Sequence, residues 1–163
     1  MVGLGGDGPY RADHAYWAAG TELHGTAQST STSSAAVSAA YFHDIAQAET
    51  LNPWEARYPA AEGSFLASAE GHATGAAALR VLVLARHLWT TAVRDEPLWA
   101  GYSYGAAVVD GELAIADKAA ARRYLADEVA ALRTALADNP RDTQYQALLQ
   151  QTLAAERSAG PGA

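Results

Sequence analysis

Five histidines, His14, His24, His43, His72 and His87, are where metal binding or acid–base chemistry would have to begin. His43 is followed directly by Asp44, a pair that could hold a divalent metal together with a further histidine. Other spacings are less suitable. A carboxylate-bridged di-metal bundle needs Glu-x-x-His on two helices, and no such spacing occurs. Glu70 and His72 stand two positions apart, as do Glu22 and His24, so on a helix each pair points to different faces. His72 and His87 lie about four helical turns apart, too far to share one ion. Serine and threonine are plentiful, but there is no Gly-x-Ser-x-Gly elbow, and the early glycines Gly3, Gly5, Gly6 and Gly8 follow no strand that could turn them into a phosphate loop.

A second pattern is ionic. Arg80, His87 and Arg94 recur every seven residues along an otherwise apolar run. On a helix they form one polar seam, suited either to the carboxylates of a partner helix or neighbouring subunit, or to solvent.

These residues need elements to hold them. The chain has 163 residues, half of them hydrophobic and many of those alanine, which favours close-packed helices. It contains no cysteine, so neither a disulfide framework nor a thiolate metal site is available. The formal net charge is -7, and Lys118 is the single lysine among eleven basic residues. Nucleic acid and acidic membrane surfaces are therefore excluded as expected partners, which leaves protein. No basic region precedes an apolar one at the N-terminus in the manner of a signal peptide. The expected location is cytoplasmic or within a virion. The most apolar stretch, 76–93, carries Arg80, Arg86 and His87 and is expected to be a buried helix rather than a membrane span.

The pattern predicts an N-terminal arm with a short helix over residues 1–34, a helical domain over 35–157 and a tail over 158–163. A helix over 35–50 buries Val37, Tyr41, Ile45 and Ala48. Asn52-Pro53, with Glu55 at the capping-box position, predicts a new helical start that Pro59 interrupts. The longest helix is expected over 60–94, weakened by Gly63, Gly71 and Gly75. Asp110-Gly111 between apolar runs predicts a tight β-hairpin over about 102–116, with Tyr102 and Tyr104 alternating in its first strand. Asp117 then caps a helix striped by Leu125, Val129, Leu132 and Leu136. Asn139-Pro140, with Asp142 in the third position, opens a last helix with Tyr145, Leu148, Leu149, Thr152 and Leu153 on one face. The expected fold is mainly α: a helical bundle with one β-hairpin and a C-terminal antiparallel helix pair.

Two resemblances add expectations. Tyr41-Phe42-His43-Asp44-Ile45 resembles the His-Asp segment of HD-domain phosphohydrolases. That resemblance implies a divalent metal on His43 and Asp44, with His14 and Asp110 as the further ligands. Over residues 79–136 the order of helix, hairpin at Asp110-Gly111 and helix from Asp117, with the aromatic run Tyr102-Ser103-Tyr104-Gly105, resembles the small head-tail joining proteins of tailed phages. That likeness implies a homo-oligomeric ring without catalysis. The expected interaction residues of the chain are Arg80, His87, Arg94, Tyr102, Tyr104, Asp110 and Gly111, with no cofactor expected. A non-enzymatic subunit of a larger assembly is thus the leading expectation, with a metal-dependent enzyme as the alternative. A third possibility, a helical adaptor for peptides, predicts an apolar groove along the last two helices.

Overall fold

A computed structural model describes residues 11–12, 14–16, 34–69 and 75–159. The chain forms two compact units, Met1–Tyr58 and Pro59–Ala163. The helices with defined bounds are α1 (Ser34–Leu51), α2 (Arg57–Ala69), α3 (Ala76–Asp95), α4 (Ala100–Ala116), α5 (Ala121–Asp138) and α6 (Thr143–Ser158). The Gly-rich arm, His24, the Ser/Thr run 28–33, His72 and the final residues 160–163 lie outside the described residues.

In the first unit, residues 11–12 and 14–16 are helical and Ala12 and Ala15 are buried. Tyr41, Ile45 and Ala48 of α1 are buried at the expected helical spacing. The start expected at Asn52-Pro53 is instead a pair of turns: Glu55 N–H donates to the Asn52 carbonyl at 3.3 Å and Tyr58 N–H to that of Glu55 at 3.2 Å. The helix begins at Arg57, so Pro59 falls in its first turn, where a missing N–H costs no helical hydrogen bond. Arg57 lies 5.2 Å over the Tyr16 ring and 5.4 Å over the Tyr58 ring.

In the second unit, consecutive helices joined by short loops pack in sequence, α3 on α4, α4 on α5 and α5 on α6. The single long helix expected over 60–94 is two, and α3 is preceded by Gly75, whose φ of 59° suits only glycine at low cost. Leu82, Leu113 and Leu132 are fully buried, and Leu82, Ala85, Val109, Leu113, Ala114 and Tyr124 form one contiguous cluster. The helix pair at the C-terminus is present. Its second helix is capped by Asp142, whose carboxylate accepts from Gln144 N–H at 2.9 Å and Tyr145 N–H at 3.1 Å. That places the cap three residues later than Asn139-Pro140 indicated. Asp117 accepts from Ala120 N–H at 3.2 Å, closing the turn before α5 rather than capping the helix itself.

The β-hairpin is overturned. Residues 100–116 form the continuous helix α4, and no strand occurs among the described residues. The Asp110-Gly111 pair that signals a turn is mid-helix because both residues answer to other helices. Asp110 is paired with Arg86 of α3. A Cβ on Gly111 would meet the Glu128 carboxylate of α5 at 3.2–3.3 Å, so glycine leaves that carboxylate its place. Tertiary contacts thus outweigh a strong local turn signal.

The expectation that the stretch 76–93 is a buried helix is also corrected. Ala78, Leu82, Ala85 and Ala92 face the core, but Val83 and Leu84 are 48% and 47% exposed. By length and composition alone, α3 could cross a membrane.

Candidate functional site

The second unit carries a chain of polar side chains through its helices. From α3, Arg86 Nε donates to Asp110 Oδ1 of α4 at 2.5 Å, and Arg86 NH2 donates to Asp127 Oδ2 of α5 at 2.8 Å. The Arg86 guanidinium also lies 5.8 Å from the Tyr124 ring, whose other neighbour is Arg123 at 4.7 Å. Asp110 is only 4% exposed. Burial pushes its carboxyl up, and Arg86 beside it pulls it back. The proximity to Asp110 holds Arg86 more firmly protonated still. A carboxylate this far from water costs several kcal/mol (about 3) unless a cation answers it, so Arg86 locks α3, α4 and α5 together.

Directly after Asp127 on α5 comes a second buried carboxyl. Glu128 of α5 is 4% exposed and meets Thr152 of α6. The Thr152 hydroxyl stands 2.7 Å from Glu128 Oε1 and 2.9 Å from the Leu148 carbonyl. The hydroxyl donates to Glu128 Oε1, and its single proton is shared with the Leu148 carbonyl. Burial pushes the Glu128 carboxyl up; Thr152 opposes this, and the carboxylates of Asp110 and Glu112 reinforce it.

The sign of the pH effect follows. A raised carboxyl contributes stability that is complete below the ordinary carboxyl range and is lost as pH rises through its folded-state value. Glu128→Gln keeps the contact to Thr152 without a charge. It is expected to raise stability at pH 8 by about 1 kcal/mol and leave it nearly unchanged at pH 4. Urea unfolding at the two pH values checks this.

Glu128 and Thr152 lie on the floor of a groove of about 960 Å³. Its walls are α4, through Tyr104, Val108 and Ile115, and α6, through Leu148, Thr152 and Ala155; α5 supplies Ala121, Leu125 and Glu128 beneath. On each helix these residues recur three and four apart, so one face of each lines the groove. At one end Tyr104 stacks on Tyr145 with centroids 4.7 Å apart, and Gln144 Nε2 donates to the Tyr104 hydroxyl at 2.7 Å, which pins α4 to α6. Toward the other end Ile115 stands 64% exposed, with Lys118 and Arg122 on the rim. The groove thus runs along the last two helices with α4 as a third wall.

The residues singled out by sequence fall into separate places. Arg80, His87 and Arg94 are exposed on α3, and Arg94 pairs with Asp95 at 2.9 Å. Tyr102 packs beside Trp89 and Trp99, with ring centroids 6.3 and 6.1 Å away. Tyr104 and Gly111 line the groove; Asp110 is held away from it by Arg86. His14 and Asp44 line a smaller cleft of about 370 Å³ in the first unit with Arg11 and Gln47, whereas His43 is exposed and is not among its lining residues. No group of three or more His, Asp or Glu that could hold a metal is found among the described residues. Sequence reasoning missed Arg86, Asp127 and Glu128. The signal for Glu128 was available: it stands three residues after Leu125 and four before Leu132, on the apolar stripe itself.

Comparison with known proteins returns nothing: no protein family, curated protein or solved structure matches the chain.

Proposed function

We propose that this chain is a non-enzymatic helical subunit of a larger protein assembly and that the α4–α5–α6 groove is its docking site. The observation that carries the reading is the groove itself: an apolar trough about 16 Å long from Tyr104 to Ile115, open on one side. An apolar surface of that extent, rimmed by Glu112, Lys118 and Arg122, has the anatomy of a protein interface. Its floor offers one acid and one hydroxyl already engaged with a backbone carbonyl, which suits recognition better than bond-making.

The resemblance to phage joining proteins relied in part on a hairpin at Asp110-Gly111 where the chain is helical. The assembly reading therefore rests on the groove and not on that order of elements.

The mass of the native particle containing this chain tests the reading. The expected result is a stable species well above the 17.0 kDa of one chain. A stable monomer that binds no protein contradicts it.

A further inference from the structure

The last helix of the second unit is fastened to it through a polar residue. α6 packs on α5, yet among its residues only Thr152 is buried. Tyr145, Leu148, Leu149 and Leu153 are half-buried. By contrast, α5 buries Tyr124, Glu128, Val129, Leu132 and Ala135. The one side chain that α6 commits to the interior carries a hydroxyl, and that hydroxyl donates to the buried Glu128 carboxyl at 2.7 Å.

A second tie holds the other end of α6. Tyr145 stacks on Tyr104 of α4, and Gln144 donates to the Tyr104 hydroxyl at 2.7 Å. Tyr145 and Thr152 stand seven residues apart, two helical turns or about 10 Å. The two ties respond differently to pH. Burial and Asp142 push the Tyr145 hydroxyl above its ordinary range, so that tie stays uncharged at neutral pH. The Thr152 tie depends on a carboxyl.

Nothing around Glu128 compensates a charge on it. Among the described residues no cation pairs with it. From α4, Asp110 and Glu112 act on it, both with like charge, and Arg86 of α3 is engaged with Asp110 and Asp127. α6 brings only uncharged side chains to the groove beside it, and the cations Lys118 and Arg122 line that groove without pairing with it. No histidine occurs on α4, α5 or α6. A hydroxyl can donate to a carboxylate but cannot neutralise it, so ionisation leaves a buried charge unanswered. Withdrawal of α6 lets water reach that charge.

We propose that the C-terminal half of α6, from about Leu148 onward, is a hinged wall: it closes on α5 while Glu128 is neutral and swings away, about the Tyr104–Tyr145 tie, when Glu128 ionises. In the open state Glu128 is hydrated and its carboxyl returns to the ordinary range. Closure is therefore strongest below that range and weakens as pH rises through the closed-state value. Opening removes one wall of the groove, and it needs no ligand there.

Hydrogen exchange of the whole chain, read by mass spectrometry at pH 4 and pH 8 and divided by the intrinsic rate at each pH, reports the opening. At pH 8 the amides of residues 149–158 are expected to be roughly tenfold or more less protected than those around Leu113 and Leu132, because α6 opens without global unfolding. Between pH 4 and pH 8 their protection is expected to fall about fivefold. Glu128→Gln should hold it equal at both pH values. Glu112→Gln, at an exposed position that leaves the fold intact, should reduce the fall, since it removes one of the two like charges acting on Glu128. An α6 as well protected as α5, a protection that does not change with pH, or a pH response that survives Glu128→Gln overturns the proposal. Should Glu128→Gln fail to fold by circular dichroism, Glu112→Gln decides, and an undiminished fall in that variant overturns it.

Discussion

Gly105→Val is expected to destabilise the second unit by about 3 kcal/mol. The Trp89 ring of α3 lies against this glycine so closely that an added Cβ would stand 2.5–2.6 Å from three of its ring atoms. Carbon atoms pack at about 3.5–4.0 Å, so the ring must move. It has little room: on another side, a Cβ at Gly63 of α2 would already be 3.0 Å from the same indole. Valine recovers some helix propensity relative to glycine, but only about 0.5 kcal/mol, well below the cost of the clash. Chemical denaturation should show the loss, and Trp89→Leu in the same chain should restore much of it. A Gly105→Val protein as stable as the parent would mean that α3 and α4 do not approach as described.

Arg86→Met is expected to cost about 2–3 kcal/mol at neutral pH. The figure is set below that for a fully buried ion pair because the Arg86 side chain is 37% exposed and partly screened. The loss comes mainly from Asp110, which is left buried without a cation. With Arg86 gone, the Asp110 carboxyl rises further, so folding then favours its protonated form. The deficit is therefore full at pH 7 and shrinks as pH falls toward 4. Asp127→Asn should cost much less, since Asp127 is 42% exposed and can return to water. Replacing Arg86 and Asp110 together by Met and Leu should recover most of the loss, because a buried pair exchanged for apolar residues is nearly neutral. Equal costs for Arg86→Met and Asp127→Asn would contradict the buried-pair account.

These two positions also show what the sequence could reveal. The helical stripes of α1, α5 and α6 were legible because burial of Tyr41 and Ile45, or of Val129 and Leu132, follows from spacing within one element. Asp110-Gly111 was misread because its explanation lies elsewhere in the chain. Asp110 faces an arginine 24 residues earlier, and Gly111 faces a glutamate 17 residues later. A local rule that assigns Asp-Gly to a hairpin has no access to either partner. The same limit hid Gly63, which looks like a weakness in a helix, and Gly105, which the hairpin reading places in a strand, until Trp89 is set against both. The seam of Arg80, His87 and Arg94 was legible as a pattern, and the structure shows it exposed together with Val83 and Leu84. The groove wall on α4 was hidden by the hairpin reading of residues 102–116.

The central claim is that the α4–α5–α6 groove holds a protein segment. Its most direct test is a photo-reactive amino acid placed at Ile115, activated in the native host and mapped by peptide sequencing. The same group at Leu98, exposed in the loop between α3 and α4 and not among the groove's lining residues, serves as the reference. The account predicts an adduct at Ile115 on one defined apolar helical segment, absent from Leu98. An Ile115 probe that captures nothing beyond what Leu98 captures, in a protein that remains a 17.0 kDa monomer, would contradict it.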